Sequence, residues 1–310
     1  MKVRAWKAII VFLLFVGFLA MLIWVMRNQV PVGPKPEPTH YNVFMMHFEP
    51  TSATEQGFQR FAERVAFVKK NNQKFSLGFT PQWVGMILSD PRKTEFVRKL
   101  FAEGWDMAPQ HHGPHHDWSW DGFCDAGGVQ CMNLRFSCYR INQDPDMQAW
   151  YRDKERYVGD MGDYMDLMNR LYRFKVLAMG PDRYFDWPDG IAYSLDNAEF
   201  HSDSGQLGFN DCIHLKVEGT SGITKWEKKN FSSKSVREAG MRFLADFEAL
   251  ERAKEDYQTL NQKSNKNEFL AVVIHIEDSE KIFRDWIEFL HSKDPEGKYN
   301  KTITEIAEEL

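Results

Sequence analysis

Four of the chain's ten histidines fall in one short stretch, Gln110-His111-His112-Gly113-Pro114-His115-His116. Packing does not favour such crowding, because an imidazole taken out of water needs polar partners for its ring nitrogens. His111 and His115, like His112 and His116, stand four residues apart. That spacing can bring two ring nitrogens to one cation in a turn or helix. The plain alternative is a solvated histidine-rich loop. Two further runs mix imidazole with carboxylate: His47-Phe48-Glu49-Pro50 and His275-Ile276-Glu277-Asp278. Alone, His47 or His275 reads as a hydrogen-bonded core histidine. Together the three runs hold what metal-assisted hydrolysis uses, donors to bind an ion and further groups to move protons.

The surrounding pattern delivers all three runs to strand ends. Residues 41–48 form an apolar run stopped by Glu49 and Pro50, which predicts a buried strand. A helix is predicted over 54–71, with Phe58, Phe61, Val65 and Val68 on one face. A strand over 75–79 is closed by Thr80 and Pro81, and a helix over 92–103 is ended by Gly104. A short strand over 105–108 then leads into the histidines. Beyond a long loop at 117–147, helices are predicted over 148–172 and 235–258, and strands over 174–179 and 191–194. A strongly apolar strand over 268–275 and a helix over 279–291 follow. Alternating strands and helices predict an α/β fold with parallel strands and crossover helices. Open sheet and barrel share this pattern; in a barrel the C-terminal strand ends meet on one rim.

The N-terminus reads differently. Residues 8–26 contain no charged side chain and are about long enough as helix, at roughly 1.5 Å per residue, to cross a hydrocarbon core of about 30 Å. Lys2, Arg4 and Lys7 precede this run, which orients the N-terminus toward the cytoplasm. A cleaved signal peptide has the same basic start, but its apolar region is shorter and a small-x-small site follows. Here Ile23-Trp24-Val25-Met26-Arg27 follows instead. The expectation is a signal anchor over 1–27, a stiff proline-rich linker over 28–39, and one domain over 40–310. The protein is then a single-pass protein of the cell membrane, its domain on the periplasmic or extracellular side. Residues 1–27 hold four of the 39 basic residues and no acid, leaving 35 basic against 44 acidic side chains beyond them. That excess argues against nucleic acid as a partner. Cys124, Cys131, Cys138 and Cys212 would face an oxidising compartment, which favours at least one disulfide over zinc binding at their spacing.

On these residues the chain resembles the polysaccharide deacetylase superfamily, metal-dependent carbohydrate esterases with a distorted (β/α) barrel. The resemblance spans roughly residues 41–307. It rests on His47-Phe48-Glu49-Pro50 at the first strand end and on Gly104-Trp105-Asp106-Met107-Ala108 running into the histidines. Val273-Ile274-His275 and the closing 302–307 complete it. It implies Zn²⁺ or another divalent ion held by His112, His116 and Glu49, with His111 as a further candidate. It implies Glu49 as base if it is not a ligand, and His275 as the acid that protonates the leaving group. His47, Asp186 and Trp187 are the candidate substrate contacts, Trp187 as an aromatic wall for a sugar ring. The implied function is removal of acetyl groups from a polysaccharide or glycan. Pro50 stands where the family has a metal-binding aspartate, and Gln110 stands where counting from Gly104 puts its first histidine ligand. The His pair is therefore shifted by one or two residues, and Pro50 favours a second reading, a non-catalytic glycan-binding or assembly component. A third is glycoside hydrolysis by Glu49 with Asp186 or Asp278.

Overall fold

β1 (Asn42–Phe48) is buried along its whole length, as a parallel strand covered on both faces must be. It lies in a computed structural model that describes residues 38–112, 121–124, 158–178, 189–196, 221–231 and 234–310, all within one unit, Pro38–Leu310. β11 (Phe269–His275) pairs with β1 in parallel along one edge. The other edge takes β12 (Asn300–Lys301) at its start and β2 (Ser76–Phe79) at its end, both parallel. β10 (Arg242–Phe243) lies parallel to β11, and β7 (Ile223–Thr224) is antiparallel to it. A second sheet orders β5 (Val176–Leu177), β6 (Tyr193–Asp196), β9 (Lys234–Gly240) and β8 (Glu227–Phe231). β3 (Phe123–Cys124) and β4 (Gly159–Asp160) form a third, of two strands. The fold is therefore mixed α/β around a mainly parallel sheet. Regular pairing among the described residues gives three sheets and no closed barrel.

The strands' alternation sorts their side chains into two apolar layers. Phe44, Met46, Leu270, Val272 and Ile274 face the large layer. Val43, Met45, Ala271 and Val273 face a layer with smaller members, including Ala108, Ala178 and Ala239. A period of two continues that second face to His47 and His275. The large layer is covered by α1 (Glu55–Lys70), whose Phe61, Val65 and Val68 are buried at helical spacing. Thr54 caps α1 by accepting from Gly57 N at 3.0 Å. α2 (Pro81–Ser89), α3 (Pro91–Ala102), α4 (Met161–Leu171), α5 (Phe247–Leu260) and α6 (Glu280–Lys293) add to this cover. α7 (Ile303–Glu309) packs on the smaller layer.

Two sequence expectations change, and one helix stands where none was assigned. Residues 81–89 are helical although Pro81 reads as a strand stop, because proline is at home in the first helical turn. Residues 105–108 make only a single parallel bridge, Leu77 to Met107, instead of a strand. The helix expected over 235–258 is instead β9, β10 and then α5. Asp246 marks the true helix start by accepting from Ala249 N at 2.8 Å. No helix among the described residues is long and apolar enough to cross a membrane. The expected anchor at 8–26 lies outside them, as do Cys131, Cys138 and Cys212.

Candidate metal centre

Parallel register sets His47 opposite His275 across β1 and β11, and opposite Gly78 across β1 and β2. The two imidazoles sit face to face at a tilt of 31°, ring centroids 5.8 Å apart. Glu49 follows His47 by two residues, past Phe48, which is locked among Phe61, Phe79 and Trp83. The backbone at this exit is held from α2. Thr80 Oγ1 donates to Phe48 O at 2.7 Å, and Trp83 Nε1 donates to Glu49 O at 3.1 Å. Ser52 N also donates to Glu49 O, at 3.0 Å. So fixed, the Glu49 carboxylate places Oε1 3.3 Å from His275 Nε2.

His47, Glu49 and His275 each offer a ligand atom within 4.8 Å of the others'. The set opens to solvent on one side: His47 is buried, while the Glu49 and His275 side chains are 17% and 31% exposed. His47 Nε2 is buried and has no hydrogen-bond partner among the described residues. Burial pushes the His47 imidazole well below the usual histidine range, and the facing His275 and His112 push it further down. A neutral ring keeps a lone pair for a cation. Two imidazoles and a carboxylate are the donor set of many catalytic zinc sites, which keep a fourth position open. The residues present therefore fit a divalent ion.

A second ring supports the first. Gln110 N donates to Phe79 O at 3.1 Å, and its side-chain Nε2 donates to Glu49 Oε1 at 2.9 Å. The same amide contacts His112 Nε2. With that nitrogen accepting, the His112 proton sits on Nδ1, which lies 3.4 Å from Glu49 Oε2. His111 turns away, to Asp121 Oδ2 at 2.9 Å, with its ring 5.1 Å from that of Tyr164. Asp121 also accepts from His112 N and Phe123 N, both at 2.9 Å. Gln82 Nε2 holds the Asp121 carbonyl at 2.8 Å. Beyond β11, Asp278 Oδ2 accepts from His275 N at 2.8 Å and stands 3.8 Å from His275 Nδ1. Burial pushes the Glu277 and Asp278 carboxyls up.

The structure thus brings Glu49, His275 and His47 together, the last expected as a substrate contact. It places His112 against the second oxygen of Glu49 and leaves His111 on Asp121. His116, Asp186 and Trp187 lie outside the described residues. Gln110, Asp121 and Gly78 are the residues the sequence reading did not select. Gln110 carried two signals, its place directly before the histidines and the count from Gly104 that put the family's first ligand on it.

No known protein family matches the sequence, and no curated protein does. Among solved structures, a 4-alpha-glucanotransferase from Thermococcus litoralis is similar at 11% identity and a TM-score of 0.47. The match covers 89% of this chain and 41% of that one, so the chain spans under half the glucanotransferase's length. A provisionally assigned polysaccharide deacetylase from Mycobacterium smegmatis is similar at 10% identity and a TM-score of 0.44, with 90% and 93% covered. At such scores neither neighbour bears on what this chain does.

Proposed function

We propose that the chain is a membrane-anchored, extracytoplasmic metal-dependent hydrolase that removes acetyl groups from a glycan. The observation that carries this reading is His47 Nε2, a buried ring nitrogen without a hydrogen-bond partner, beside a carboxylate and a second imidazole. His47, Glu49 and His275 would hold the ion. When bound, it would supply a Lewis acid for the acetyl carbonyl and lower the pKa of a water. Gln110 orients Glu49 by donating to Oε1, and His112 Nδ1 stands 3.4 Å from the second oxygen. Asp278 orients His275 through the backbone.

The barrel is part of the same proposal. Ala178 N donates to Pro109 O at 2.8 Å, linking the segment beside β2 to β5. β9 runs through Met241 into β10, which pairs with β11. These links support a ring of parallel strands whose C-terminal ends carry the site. The anchor rests on residues 8–26 and the basic residues before them.

Elemental analysis of the solubilised full chain tests the reading. About one divalent ion per chain is expected to survive dialysis in the wild type and in His111→Ala, whereas His47→Ala and His275→Ala, left with weakened binding, lose it on dialysis. Released acetate from acetylated glycans is then the activity to measure. A wild type that binds no ion after reconstitution sinks the hydrolase. Pro50 and Gln110, standing where the family has ligands, would then favour a glycan-binding protein.

A further inference from the structure

One guanidinium is buried on the inner side of α1, among Phe61, Val65 and Val68. The Arg64 side chain is 0% exposed. A buried cation costs several kcal/mol unless its donors are met by well-placed acceptors. Here all the acceptors lie on the short stretch that joins the end of β11 to the start of α6. Arg64 Nη1 donates to His275 O at 3.0 Å, Nη2 to Asp278 O at 2.7 Å, and Nε to Glu280 Oε2 at 3.1 Å. The guanidinium also lies over the Phe283 ring, 4.6 Å from its centroid.

That stretch carries the second imidazole of the candidate centre. Its first carbonyl is that of His275, and its Asp278 carboxylate accepts from His275 N. Ile276 N donates to His47 O at 2.9 Å, so the stretch is also stitched to β1. The helix bearing Arg64 is the next α-helix after the strand that supplies His47 and leads into Glu49. Arg64 thus joins the two chain segments that contribute donors, over more than two hundred residues of sequence.

We propose that Arg64 is a positioning residue for His275: its three-way fork fixes the backbone from which that imidazole reaches Glu49. Lysine cannot copy it, because a single ammonium cannot span two carbonyls and a carboxylate in one plane. The consequence for ion binding rests on the reading above; the position of His275 does not.

Histidine-ring NMR of the full chain under chelator, with His275 assigned through His275→Ala, reads the position directly. Arg64→Lys is expected to shift or split the His275 signal while His40 and His291, which bond elsewhere to Asn265 and Asn71, stay put. Zinc titration should show an affinity loss of about 10–100-fold in Arg64→Lys and no further loss when His275→Ala is already present. An unmoved His275 signal in a folded Arg64→Lys overturns the proposal. So does an equal affinity loss in the His275→Ala background, which marks a merely structural role. Should Arg64→Lys not fold, Glu280→Ala decides alone: it must shift the His275 signal, by less than a full loss of the fork, or the proposal falls. A wild type that takes no zinc sinks the metal reading, and the NMR result still judges Arg64.

Discussion

A Cβ added to Gly78 would lie 2.8 Å from Cδ2 of His47 and 3.1 Å from the Met46 carbonyl oxygen. The strand pairing fixes the Met46 carbonyl, so the His47 imidazole must shift from its place. Gly78→Ala is expected to lower zinc affinity by about tenfold and stability by about 1–3 kcal/mol. Gly85→Ala, on α2, is the control: a Cβ there meets nothing within 4 Å and should raise stability by up to about 1 kcal/mol. Calorimetric zinc titration and urea unfolding measure both. Equal affinity in Gly78→Ala and wild type would show that the His47 ring does not depend on this clearance. His47, Glu49 and His275 were legible in the sequence because each ends an apolar run. Gly78 was not, since its role comes from register with His47, and register is a property of the paired strands.

At the scale of elements, α2 shows how an unassigned helix hides its function. Its starting proline reads as the end of β2, yet the helix it opens supplies Trp83, which binds both the Glu49 carbonyl and Ser52 Oγ. Trp286 of α6 is equally buried, but its Nε1 has no hydrogen-bond partner among the described residues. Trp83→Phe should therefore cost about 1 kcal/mol more than Trp286→Phe, the worth of the lost hydrogen bonding. It should also weaken zinc binding, because the backbone beneath Glu49 loosens, whereas Trp286→Phe should leave it unchanged. Matched unfolding and zinc titrations of the two variants check this, and a larger affinity loss in Trp286→Phe would contradict it. Residues 234–243 were misread for a different reason. Their Arg, Glu, Ala and Met content suits a helix, and strand pairing overrode that propensity.

At the largest scale, α7 falls on the 302–307 stretch on which the resemblance rests, and it packs on the smaller apolar layer. Thr302 and Glu305 make reciprocal caps, Thr302 N donating to Glu305 Oε2 at 2.7 Å. Ile303 N reaches Ser76 Oγ at 2.9 Å, and Thr304 N reaches Asp106 Oδ2 at 2.8 Å. Asp106 lies on the segment that leads to Gln110 and is buried against the terminal helix. Burial pushes its carboxyl above the usual aspartate range, against the downward pull of Ser76 and Thr304. The sign of the stability effect follows. Between the unfolded value of about 3.9 and the raised folded value, the folded chain binds more protons than the unfolded one. The stability that the proton contributes is complete below about pH 3.9 and is lost as pH rises through the folded value. Asparagine keeps the neutral shape and an acceptor oxygen but cannot ionise. Asp106→Asn should therefore gain on the wild type as pH rises from about 4, then hold a constant lead once Asp106 is ionised in both states. Urea unfolding of the full chain under chelator, across that range, gives the two curves. If the wild type instead gains on Asp106→Asn with rising pH, the charge itself holds the terminal helix. The hydrogen bonds from Thr304 and Ser76 would then outweigh the burial.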